Sequence, residues 1–113
     1  MEEKADNWGM SESYRVERWN GAGVPNAEAL RGRMEAEGYG VYRWCDRPGA
    51  VYGVHTHSDD QSHWVISGRL ELTVNGPGEF ELGPGDRDFM PAGIEHSARV
   101  IGDEPVVYLI GAK

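Results

Sequence analysis

The chain contains four histidines. Three of them, His55, His57 and His63, fall within nine residues, and the fourth, His96, lies far along the sequence. Imidazole can both ligate a metal ion and exchange a proton near neutral pH. His55 and His57 are two apart in a run that reads as a strand, Ala50 to His57. Side chains at that spacing share a face and can converge on one point. Gln61 and His63 follow a short polar turn, Ser58-Asp59-Asp60, and His96 begins a later strand just after a turn at Pro91-Ala92-Gly93. Three imidazoles with one oxygen ligand suit Mn, Fe, Co, Ni, Cu or Zn. An H-x-H pair also arises by chance as two exposed polar residues, so the pair alone decides nothing. The frame that must position it carries the argument.

That frame reads as β structure. Tyr14 to Trp19 forms a short strand with an ambiguous buried face. Pro25 to Glu37 is the one helical segment, with Ala27, Leu30 and Met34 as a narrow apolar stripe, Pro25 in the first turn and Gly38 as the stop. From Tyr39 onward the pattern turns to strands: Val41 to Cys45, Ala50 to His57, His63 to Asn75, Glu79 to Leu82, Asp88 to Met90, His96 to Ile101 and Val106 to Ile110. Gly68 interrupts the long run and marks a bend or bulge. Leu70, Leu72 and Val74 alternate with Arg69, Glu71 and Thr73, which defines a buried face. Short strands with frequent Gly and Pro turns describe a sandwich or a closed barrel.

Composition narrows the function. At 113 residues the chain has room for one core. Residues 1–12 are polar and read as a frayed or disordered end, leaving 13–113 as a single domain. The net charge is −8 and no basic run occurs, which argues against nucleic acid and against anionic membrane surfaces. No apolar stretch approaches the roughly 20 residues that span a bilayer, and the first residues lack a signal-peptide core. Cys45 stands alone, so no intrachain disulfide forms, and a cytoplasmic location is the expectation.

The spacing of these residues resembles the cupin superfamily. Its first motif is G-x5-H-x-H-x3/4-E-x6-G, matched by Gly49, His55, His57, Gln61 and Gly68. Its second is G-x5-P-x-G-x2-H-x3-N, matched by Gly85, Pro91, Gly93, His96 and Val100. Every spacing fits, with Gln61 in the Glu place and Val100 in the Asn place. The stretches Glu37 to His57 and Gly85 to Lys113 also look like small single-domain bacterial cupins. The resemblance implies an all-β jelly-roll barrel, here with one short N-terminal helix, and one divalent transition-metal ion inside it. The implied ligands are His55, His57, Gln61 and His96. It further implies pairing as a homodimer, for which the Tyr14–Trp19 strand offers an edge.

The departures carry chemistry of their own. An amide oxygen from Gln61 is neutral, so the ion keeps its full divalent charge. Such a centre is the stronger Lewis acid and favours an anionic small-molecule ligand. Some cupins that linearise uronates, and manganese-dependent hydroxynitrile lyases, resemble this chain in carrying Gln at the position. His63, two past Gln61, falls on the same face as a general acid or base, or as a rim histidine that only hydrogen-bonds. Val100, with Trp44, Tyr52, Trp64, Phe89 and Met90 nearby, makes the expected pocket largely apolar with a polar metal end, while most of the aromatics are assigned to plain core. Cys45 is expected to be buried, and Asp86 with Arg87 to form a local ion pair in a turn. The leading expectation is isomerase- or lyase-type Lewis-acid chemistry on a small carboxylate or acidic sugar. The alternatives are a non-catalytic sensing module and a metal-dependent dioxygenase.

Overall fold

The computed structural model describes residues 13–113; the expectation for residues 1–12 lies outside the described residues. Nine strands and one helix follow in order: β1 (Arg15–Glu17), α1 (Ala27–Ala36), β2 (Gly40–Asp46), β3 (Val51–His55), β4 (Gln61–Ser67), β5 (Arg69–Val74), β6 (Gly78–Leu82), β7 (Arg87–Phe89), β8 (His96–Ile101) and β9 (Val106–Ala112). They form two antiparallel sheets, β1-β7-β4-β9-β2 and β3-β8-β5-β6, which is the expected jelly roll. β1 pairs with β7 of its own chain and ends its sheet.

The run read as one strand from His63 to Asn75 is two strands in different sheets. Gly68 is the corner between them, at φ 78°. A Cβ there would meet the Pro105 carbonyl oxygen and the Val106 Cα, so both the turn and the close backbone approach demand glycine. Beyond it, Leu70, Leu72 and Val74 are buried, as the alternation requires. They join Val65, Leu82, Val100, Val106 and Tyr108 in the core between the sheets.

β4 shows no polar–apolar alternation because both its faces are covered. Gln61, His63 and Val65 share one face, and Trp64 lies on the other, where it packs with Leu30 and Met34 of α1 and with Leu109. The helix starts later than the Pro25 reading placed it. Asn26 is its N-cap, its Oδ1 accepting from the Ala29 N–H at 2.9 Å, and Pro25 precedes the cap. The C-terminal end matches expectation. Gly38 has φ 101°, and the Gly38 and Tyr39 N–H groups bond to Glu35 and Met34 carbonyls at 3.0 and 3.1 Å.

Candidate metal centre

His55 and His96 come together because β3 pairs with β8 in a register that sets them opposite each other. Backbone bonds fix that register: the Val100 N–H donates to Ala50 O at 2.9 Å and the Gly49 N–H to Val100 O at 3.2 Å. His57 lies just past the end of β3 rather than on it. The Gly93 N–H donates to its carbonyl at 2.9 Å, drawing this loop onto the turn before His96. The three rings then meet, with centroids 4.3 Å apart for His55 and His96, 4.8 Å for His55 and His57, and 4.9 Å for His57 and His96. One ring nitrogen from each lies within 4.8 Å of the others.

The tautomers of two rings follow from their partners. His55 Nδ1 sits 2.6 Å from Gly53 O, and His96 Nδ1 sits 2.9 Å from Ile94 O. A carbonyl oxygen only accepts, so each Nδ1 carries the proton and each Nε2 keeps its lone pair. This is the outer hydrogen bonding that readies an imidazole for a metal. Burial, then the neighbouring imidazoles His96, His55 and His63, push the His57 pKa below its ordinary value, against an opposing pull from Asp59. Burial chiefly lowers that of His96 too, although its bond to Ile94 works the other way. Neutral imidazole is the ligating form, so the donor chemistry fits a first-row divalent ion.

Gln61 and His63 enter the same cavity from β4 in the opposite sheet. Gln61 Nε2 donates to Asp59 Oδ1 at 3.3 Å, which leaves Oε1 as the ligand-type atom of that amide. His63 is buried, and its Nδ1 faces Asp88, 2.9 Å from Oδ1 and 3.1 Å from Oδ2. Asp88 is fully buried and also accepts from the His63 backbone N–H at 2.8 Å and from the Tyr14 hydroxyl at 2.9 Å. Burial pulls the His63 pKa down, but the Asp88 charge and hydrogen bond outweigh it, so the net shift is upward. Asp88 holds Nδ1 protonated and leaves Nε2 as the nitrogen available to the cavity.

The cavity measures about 460 Å³. Trp44 and Tyr52 line it as expected; Trp64, Phe89, Met90 and Val100 do not. Trp64 faces the helix, Met90 and Val100 are core, and Phe89 lies between the Arg15 and Arg87 guanidinium groups at 3.9 and 4.2 Å. Leu70, Leu72, Ala98, Tyr108, Ile110 and Tyr42 supply the rest of the wall. Two further expectations fail. Cys45 is exposed, because it lies on the outermost strand of its sheet, where α1 covers Val41 instead. Asp86 and Arg87 do not pair with each other: Asp86 takes Arg18 at 3.0 Å, and the buried Arg87 reaches Glu37.

Asp88 was missed in the sequence, although an Asp inside a strand is uncommon enough to flag. Asp46 was missed as well. It closes β2 two residues past Trp44 and accepts from Tyr52 and Tyr108 hydroxyls at 2.7 and 3.1 Å.

A family model described as "Cupin domain" matches residues 42–110, more than half of the chain. The chain is 32% identical over 62 residues to a dimethylsulfoniopropionate lyase from Ruegeria pomeroyi, covering 55% of this chain and 30% of that protein. It is 35% identical over 72 residues to a mannose-1-phosphate guanylyltransferase from Klebsiella pneumoniae, covering 63% and 15%. It thus spans less than a third of the length of these relatives. Among solved structures, oxalate decarboxylase from Bacillus subtilis superposes with a TM-score of 0.58 at 29% identity, over 65% of this chain and 21% of that one. That enzyme has Mn(II) centres.

Proposed function

This chain belongs to the cupin family, and from that premise we propose that it is a metal-dependent lyase or isomerase acting on a small carboxylate. The observation that carries the reading is the meeting of His55, His57 and His96 inside a cavity that also holds His63. In this reading the three imidazoles and Gln61 Oε1 hold one divalent ion. When bound, the ion supplies Lewis acidity toward a carboxylate or carbonyl oxygen. The chain's own residues do the rest. Eliminations and proton-shift isomerisations beside a carboxylate need a base at carbon, and His63 Nε2 is placed to take a proton and return it. Asp88 keeps that ring oriented. Leu70, Leu72 and Ile110 supply apolar wall to the same cavity. Two relatives support this class by their names: one cleaves dimethylsulfoniopropionate and one decarboxylates oxalate.

Screening metal-loaded protein against small carboxylic acids tests the reading. Turnover that disappears on chelation and returns with the ion is the expected result. Tight binding of a carboxylate without turnover across the panel would instead make the protein a sensing module.

The lowered pKa values of His57 and His96 set a pH dependence. Protons compete with the metal only where these rings are protonated, and that region shifts to lower pH. The part of the pH dependence of log affinity that His57 and His96 contribute is therefore expected to end below the ordinary histidine value of about 6.5. A competition titration with a chelator in which His57→Ala and His96→Ala show these two rings still competing as protonated groups at or above that value would contradict the assignment.

A further inference from the structure

The cavity has a second wall built on one carboxylate. Tyr42, Trp44 and Asp46 follow one face of β2, while Tyr52 comes from β3 and Tyr108 from β9. Asp46 Oδ1 accepts from Trp44 Nε1–H at 3.2 Å and from the Tyr52 hydroxyl at 2.7 Å, and Oδ2 accepts from the Tyr108 hydroxyl at 3.1 Å. The polar edges of three rings are thereby taken up by the carboxylate. What the rings offer a ligand is their electron-rich faces, with a negative charge behind them. Tyr42 and Trp44 remain about half exposed, at 53% and 45%, so this wall is open to an incoming molecule. Among the described residues, neither Lys nor Arg lines the cavity.

We infer that this wall receives the cationic head of a zwitterionic ligand, a small carboxylate that carries a quaternary ammonium or tertiary sulfonium group. The inference rests on the reading above for the carboxylate end alone. A second anionic group would meet no cation at the wall and would be repelled by the Asp46 charge behind the rings. A primary ammonium would need acceptors for three N–H bonds, and the Asp46 oxygens already serve the rings. A fully alkylated cation needs no acceptor and is attracted to aromatic faces.

The test compares trimethylammonioacetate with tert-butylacetate, which has the same shape with carbon in place of the charged nitrogen. Both are titrated into Mn(II)-loaded full-length protein. Binding is followed by calorimetry and by the change in the Mn(II) resonance spectrum that carboxylate coordination produces. The zwitterion is expected to bind about tenfold tighter or more. Asp46→Asn should bring the ratio close to unity while leaving tert-butylacetate binding intact, and Trp44→Leu should lower the ratio. The half-exposed Trp44 and the conservative change at Asp46 guard against simple unfolding. Equal binding, or a preference for tert-butylacetate, overturns the inference and leaves the metal reading in place. If neither ligand alters the Mn(II) spectrum, the inference also fails. Metal content then decides the prior reading: protein that retains its ion keeps the centre, and protein that never held one loses both.

Discussion

Replacing His63 with alanine is expected to cut turnover of the metal-loaded protein by about 10²–10⁴-fold, the usual contribution of a positioned acid or base, without releasing the ion. The two effects separate because His63 is not one of the three rings whose nitrogens lie within 4.8 Å of one another, and it is held by another partner. Its Nδ1 is committed to Asp88, so the ring is fixed and its tautomer set. Asp88→Asn provides the companion test. The amide keeps the shape but removes the charge that favours imidazolium at His63, and it faces the buried hydrogen bonds with a changed donor set. Turnover in Asp88→Asn should fall and its acid limb should move to lower pH, since the raised pKa of His63 depends on that charge. A merely structural role for Asp88 would change stability and leave the pH profile in place. Loss of the ion in His63→Ala would place this ring among the ligands and contradict the assignment.

The second large effect is expected at the cluster. His55→Ala or His96→Ala should weaken metal binding by more than the roughly 10–100-fold that loss of an outer-sphere partner costs. Each change removes a donor whose Nδ1 bond to a carbonyl had already prepared its Nε2. Both side chains sit at the end of a paired strand, so the sheet should survive the substitutions. Matching thermal unfolding of the variants and the chelated parent would establish that the loss is one of binding. Variants that keep the parent affinity would rule out an ion bound by these rings.

The legible part of this site was the part written in local spacing. His55 and His57 are two residues apart, and the turn from Pro91 to Gly93 delivers His96, so both halves of the cluster show within short stretches of chain. Gly68 also announced itself, although not as the point where the chain leaves one sheet for the other. What stayed hidden depends on register between distant strands. Asp88 reaches His63 across 25 positions, and Asp46 meets Tyr108 across 62. No periodicity within one strand reports such a pairing. β4 misled for a related reason. The helix covers its outer face, so Trp64 is as buried there as Val65 is on the inner one, and the alternation that would have assigned faces is absent. Cys45 failed the opposite way, as a small apolar residue on an edge strand that nothing covers.

Pulsed electron resonance of Cu(II)-loaded protein addresses the imidazole cluster most directly, because the remote nitrogens of coordinated rings leave a countable signature. The spectrum should show imidazole nitrogens from the cluster, fewer of them in His96→Ala, and no change in His63→Ala. A copper signal without imidazole couplings, or one that His96→Ala leaves untouched, would contradict the proposed centre.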